Sequence, residues 1–215
     1  MRPPLPTILL VLLPLVWGCG DQDSSPVPQP VPGLIRQSTP KVGTPDTLVA
    51  GLPGAVAGQG TIHLLDRKSG KKVVAPSTDA GSFALTIPAS ESEDLEARFE
   101  NADGLSEPVS LSVRALGIHP ELVQTQYGGL LTVVGDEVVV TNDLGPTTPP
   151  PVQASADVDV VVANESTGQV VTSKTDGEGL FKVTLKGKSG DAILIMLSDP
   201  TNPDLTSDFV SAQVP

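Results

Sequence analysis

The residue types that could do chemistry are few in this 215-residue chain, and they lie far apart. His63 and His119 are its two histidines, and no H-x-x-x-H or C-x-x-C spacing accompanies them. A zinc centre needs three or four such ligands converging on one point. None is expected. Serine nucleophiles need a base and an oxyanion hole, yet the chain has no G-x-S-x-G and no base placed to activate a hydroxyl. Asp157 and Asp159 would lie on one side of a strand, with Asp176 and Glu178 in the next turn, an arrangement that could offer oxygens to calcium. No D-x-D-x-D-G loop completes it, and solvated carboxylates are the expectation in so acidic a chain. Arg67-Lys68 and Lys71-Lys72 flank one hairpin, where cations keep an edge soluble and discourage pairing with other chains. Sugar binding by stacking needs exposed aromatics. Trp17 belongs to the N-terminal apolar run, and Tyr127 is the remaining candidate. No catalytic, cofactor-binding or metal-binding residue is therefore expected, and the chain reads as a non-enzyme.

Charge narrows the partners further. The formal net charge is −12, and loss of residues 1–18 would remove Arg2 and no acid, giving −13. A polyanion is repelled by such a body, because nucleic-acid affinity comes from cations that displace counterions at phosphates. No nucleic-acid partner is expected. The one cysteine, Cys19, can make no intramolecular disulfide, so stability must come from an apolar core.

The N-terminus combines Arg2 with an apolar run, Leu5 to Trp17, that Pro14 interrupts and that Asp21 and Asp23 follow. The run is shorter than the ~20 residues a membrane-spanning helix needs, and it has the pattern of a removable signal. Val16-Trp17-Gly18-Cys19 resembles the lipobox of bacterial lipoproteins. That resemblance implies cleavage before Cys19, a diacylglycerol thioether on its sulfur and commonly an N-acyl group. Two or three acyl chains anchor stably where one does not. The implied location is the bacterial cell envelope. Gly20 stands where some bacteria place an inner-membrane retention Asp, so the outer membrane is favoured over the inner.

From Gly20 to about Pro45 the composition is Pro-, Ser- and Gln-rich, including Pro26, Pro28, Pro30 and Pro32 at alternate positions. This predicts a disordered, polyproline-like tether reaching at most ~80 Å. The remainder contains a repeat. Thr61 to Val74 followed by Thr78 to Ile87 recurs as Asp159 to Val171 followed by Thr175 to Leu185. Each copy reads strand, Ser/Thr-Gly turn, strand, Thr-Asp turn, then Gly-x-Phe and a final strand. Ser69-Gly70 and Thr167-Gly168 supply the positive-φ residue of a tight hairpin. Phe83, Leu85 and Ile87, like Phe181, Val183 and Leu185, alternate with Ala84, Thr86, Lys182 and Thr184, so one face enters a core. Val138 to Val140 and Ile193 to Leu197 add short apolar runs, and no segment after the signal keeps a helical period.

These residues resemble bacterial immunoglobulin-like modules, tandem β-sandwiches of envelope proteins. A carboxypeptidase-regulatory-like sandwich, which has a similar Asp-Gly-x-Gly-x-Phe feature, is the alternative. Either resemblance implies an all-β chain: signal peptide 1–18, lipidated Cys19 and tether 19–45, sandwich 46–115, linker 116–131 and sandwich 132–215. A linker containing Tyr127-Gly128-Gly129 predicts some bending between sandwiches, and Gly145 to Pro151 predicts a loop inserted in the second. A module of this size buries only about 60–65% of its unfolded surface. The expected function is that of a spacer, adhesion or protein-interaction module with an unidentified protein partner and a membrane held through Cys19. The competing functions are a small-ligand, glycan or calcium binder using the loops around Asp176 to Glu178 and Asp199 to Asp204, and an accessory subunit of a larger complex.

Overall fold

The computed structural model describes residues 26–40, 46–89, 94–112, 130–143, 154, 156–202 and 205–215. Apart from one 3-10 turn, Pro32–Leu34, the regular elements among them are strands. The first half contains β1 (Ile35–Gln37), β2 (Asp46–Gly51), β3 (Gly60–Asp66), β4 (Lys72–Ser77), β5 (Phe83–Pro88), β6 (Asp94–Asn101), β7 (Gly104–Leu105) and β8 (Val109–Ser112). The second contains β9 (Leu130–Val134), β10 (Glu137–Thr141), β11 (Asp159–Asn164), β12 (Gln169–Lys174), β13 (Lys182–Lys186), β14 (Ala192–Ser198) and β15 (Thr206–Gln213).

Both halves follow one topology. In the first, a three-stranded sheet in the order β1-β2-β5 faces a sheet in which β4, β3 and β6 are adjacent and both β7 and β8 pair with β6. In the second, β9-β10-β13 faces β12-β11-β14-β15. All pairings are antiparallel. Two facing antiparallel sheets with this strand order form an immunoglobulin-like β-sandwich. Each has a core from inward-facing alternate residues: Ile62, Leu64, Phe83, Leu85, Leu95 and Phe99 in one, Val138, Val140, Val160, Phe181, Leu185 and Ile195 in the other.

The repeat is carried into local geometry. Asp66 and Asn164, both fully buried, close the two hairpins from equivalent positions. Asp66 Oδ1 accepts from the Lys68 N–H at 2.8 Å and its Oδ2 accepts from the Ser69 hydroxyl. Asn164 Oδ1 accepts from the N–H groups of Ser166 and Thr167 at 3.0 and 3.3 Å. Gly81 and Gly179, 98 positions apart, both have positive φ, 73° and 76°. A Cβ at either would sit 2.0 Å from a carbonyl oxygen, that of Val56 or of Ala154. Glycine is thus required twice over, for conformation and for room. Behind these glycines, Phe83 and Phe181 plug the cores.

Two expectations are corrected. The tether does not run free to Pro45. Val27 and Leu34 pack on the first core, Pro30 and Ile35 are buried, and β1 pairs residue by residue with Gly51, Ala50 and Val49. The Val31 N–H donates to Ala55 O at 2.8 Å and the Ser38 N–H to Leu48 O at 2.9 Å. Alternating prolines exclude a core of their own but not docking along one that exists, since proline has no N–H to satisfy. The expected bending is overruled as well. The outer face of β2 and β5 packs on the outer face of β11, β12, β14 and β15 through Leu48, Ala50 and Ala84 against Val161, Ala163, Val170, Leu194, Met196 and Phe209. A linker bends only when the bodies it joins do not adhere. His119, Tyr127, Cys19, expected to carry lipid, and the loop from Gly145 to Pro151 lie outside the described residues.

Gly179→Ala should destabilise the fold by at least ~2 kcal/mol, combining left-handed strain with the clash at Ala154 O. Gly70→Ala, with positive φ and nothing within 4 Å, should cost only roughly 1 kcal/mol. Urea unfolding of the two variants checks the difference.

Candidate interaction surface

The larger sheets of the two halves, five-stranded in the first and four-stranded in the second, are equivalent in register, but their outer faces are opposite in character. In the second half, β14 reads Ala192-Ile193-Leu194-Ile195-Met196-Leu197-Ser198 and is apolar on both faces, as expected of a strand covered on both sides. Register equates Val161 and Ala163 of β11 with His63 and Leu65 of β3, and Met196 and Leu194 of β14 with Arg98 and Glu96 of β6. Val170 of β12, opposite Ala163, corresponds to Lys72 of β4, opposite Leu65. Apolar side chains buried between the halves are therefore replaced by His63, Lys72, Glu96 and Arg98 on the free face. The three-stranded sheets differ in the same way. Ala50 and Ala84, buried at the contact, correspond to Thr141 and Lys182 in the second half.

Polar contacts fix the alignment of the halves. The Thr86 N–H and hydroxyl donate to Glu165 Oε1 at 3.2 and 2.9 Å, and the Ser82 hydroxyl donates to Gly168 O at 3.1 Å. At the opposite end, the Thr206 hydroxyl donates to Gln37 O at 2.6 Å and the Thr39 N–H to Ser207 O at 3.0 Å. Gly168, expected only as a hairpin turn, is also a point of close approach: a Cβ there would lie 2.8 Å from Pro76 O.

On the free face of β4-β3-β6, a shallow groove of about 340 Å³ is lined by His63, Leu65, Lys72, Val74, Arg98 and Leu105 among others. Val74 is 61% exposed and Leu105 49%, so the groove offers apolar surface beside its charges. Glu96 lies sheltered at its side. Its Oε2 accepts from Arg67 Nε and Nη2 at 3.0 and 2.7 Å, and its Oε1 from Arg98 Nε at 2.8 Å. Hydrogen bonds from Arg67, then from Arg98, hold its carboxyl below the ordinary value of 4.5 against the opposing effect of burial. His63 Nε2 lies 2.7 Å from Glu100 Oε2. The carboxylates of this face are thus matched internally. In the second half, the Asn164 amide donates to Asp191 Oδ2 at 2.8 Å and lowers that carboxyl in turn.

The other residues singled out in the sequence have local roles. Asp176 Oδ1 accepts from the Glu178 and Leu180 N–H groups, both at 2.9 Å, so this carboxylate braces its own turn. Asp199 Oδ1 accepts from the N–H groups of Thr201 and Asn202 at 2.7 and 3.0 Å. Asp159 begins β11, whereas Asp157 precedes it with φ 59°, so the two do not share a strand face. Among the described residues no three His, Cys, Asp or Glu side chains converge as metal ligands. Arg67 serves Glu96, a role the sequence hid behind the hairpin. Glu96 and Arg98 were legible only as the outward members of Asp94–Asn101, where Leu95, Ala97 and Phe99 point inward.

No family model and no curated protein matches the sequence. Among solved structures, the chain is similar to a two-domain fibronectin type III segment of chicken tenascin, at 15% identity and TM-score 0.28, covering 86% of this chain and 98% of that one. It is also similar to the BSP domain of a biofilm-associated protein, at 15% identity and TM-score 0.33, covering 84% of this chain but 29% of that one. A 1.5-MDa bacterial ice-binding adhesin is matched at 13% identity and TM-score 0.28, over 88% and 65%. Assignment of the sandwich fold rests on the chain's own strand order.

Met196→Ala should lower stability by about 2–4 kcal/mol, since the side chain is fully buried. Ala50→Arg should split one urea transition into two by separating the halves. Glu96 supplies a pH dependence: its ion pairs contribute fully above about pH 4.5, the unfolded value, and the contribution is lost as pH falls through the lowered folded value. Glu96→Gln should therefore be less stable than the parent at pH 7, and the gap should close on acidification below pH 4.5, as followed by urea midpoints.

Proposed function

We propose that this chain is a non-enzymatic lipoprotein of the bacterial envelope, in which a two-sandwich body is held at a membrane by lipid on Cys19 and serves as an interaction module. The observation that carries this reading is the position of the sole cysteine. Cys19 ends an apolar run and stands eight positions before Val27, which among the described residues is the first side chain packed on the body. The sequence offers this thiol no second cysteine for an intramolecular disulfide, whereas acylation gives it a function. Two features support interaction over catalysis. Carboxylates that chemistry would need, Glu96, Asp176 and Asp199, are engaged by arginines or by their own turns. Accessible apolar side chains lie instead on broad sheet faces, Val74 and Leu105 on one and Val134 on the other, which suits contact with a surface. The outer membrane is the proposed location, since Gly20 follows the cysteine.

Cells fed an alkyne-bearing fatty acid should incorporate it into the wild-type chain, and Cys19→Ser should abolish the label and move the protein from the membrane to the soluble fraction. An unlabelled wild type whose distribution Cys19→Ser leaves unchanged would overturn the proposal.

A further inference from the structure

We infer that the outer face of β4-β3-β6 is the surface by which the body rests on the anionic headgroups of its own membrane, an inference that builds on lipid attachment at Cys19. The first observation is reach. Because Val27 is already packed, the chain between Cys19 and the body is at most eight residues, not the long tether that composition predicts. Eight residues from Cys19 to Val27 extend to about 27 Å at most. A Cβ on Gly104 would lie 4.0 Å from Val27 Cγ2, so the spacer leaves the body beside β7, whose Leu105 lines the groove.

The second observation is charge. Among the described residues, two outer faces of the packed body carry lysine side chains with no bonded partner. One is the β4-β3-β6 face with Lys72, beside exposed Lys71 in the hairpin turn before β4, and the other is the β9-β10-β13 face with Lys182 and Lys186. The second is beyond reach. Sheets stack about 10 Å apart, so four layers put it about 30 Å farther from the membrane than the sheet beside which the spacer leaves. The β3 start, with Asp79 and Asp103 around it, lies close to the spacer but is acidic and would be repelled by lipid phosphates. On the β4-β3-β6 face, Glu96 is neutralised by Arg67 and Arg98, and Glu100 is bonded to His63. Lys71 and Lys72 are left to meet phosphates, with Val74 and Leu105 to enter the headgroup layer. A net negative body does not bind such a membrane from solution. Held within the length of a short spacer, it needs only enough attraction to choose which face turns down, and each lysine near an anionic surface adds to that choice.

The mature chain, residues 19–215, coupled through Cys19 to a maleimide lipid and placed on vesicles, tests this apart from whether cells acylate it. Lysine acylation is read by mass spectrometry. On phosphatidylglycerol–phosphatidylcholine vesicles, Lys71 and Lys72 should react at least five-fold more slowly than on phosphatidylcholine alone, with Lys182 and Lys186 unchanged. High salt, or Lys71→Glu with Lys72→Glu followed at Val74 by hydrogen exchange, should abolish the protection. Equal reactivity on both vesicles overturns the inference, as does protection of Lys182 and Lys186 instead. Protection that persists in detergent without vesicles also overturns it, by assigning the face to another protein surface. Failure of fatty-acid labelling in cells, with the vesicle result intact, would count against the lipoprotein reading alone.

Discussion

Adhesion between two sheet faces governs this molecule. Leu48, Ala50 and Ala84 of the first sandwich meet Val161, Ala163, Leu194, Met196 and Phe209 of the second in a third apolar cluster, in addition to the two cores. Ala50, Ala84 and Ala163 let the sheets approach, and Leu48, Leu194, Met196 and Phe209 fill the space between them, which is how well-packed interiors reach high density. Sandwiches this small have thin margins of stability. By sharing a buried face, each half covers apolar surface that it could not cover alone, in a chain with no disulfide to assist.

Burial of those two faces also explains the other two. A repeat that stacks a three-stranded sheet on the larger sheet of its neighbour could continue indefinitely, since each end would offer what the next unit needs. Charge stops it. Lys182 replaces Ala84 at one end, and Lys72, Glu96 and Arg98 replace Val170, Leu194 and Met196 at the other. The sequence differences between the copies are thus placed where the copies have different neighbours. The N-terminal segment contributes in the same manner, with β1 pairing to β2 and Gln37 receiving Thr206 across the junction.

Much of the fold was legible because local chemistry and the final structure agree. Gly70 and Gly168 turn as their types require, Phe83 and Phe181 plug the cores, and the Thr-Asp turns precede glycines that nothing larger can replace. Contacts between distant segments were not legible. Ile193 to Leu197 announced a strand, but its lack of alternation was the sign of a second buried face, and nothing nearby in sequence supplies the partner. Prolines at 26, 28, 30 and 32 disguised a segment that folds only because the edge of β2 is there to receive it. The groove face was hidden for a related reason: Glu96 and Arg98 are ordinary surface charges until register sets them beside Arg67 and Leu105.

The packed arrangement is tested most directly by a distance measured across it. With Cys19 replaced by Ser, the chain has no other thiol, so spin labels at Val74→Cys and Lys182→Cys mark the two outer faces alone. One narrow population is expected from pulsed dipolar spectroscopy, at a distance set by three sheet spacings of about 10 Å plus lateral offset and label length. A broad distribution spreading over tens of ångströms would mean that the sandwiches swing independently, and it would contradict the shared apolar face on which everything else rests.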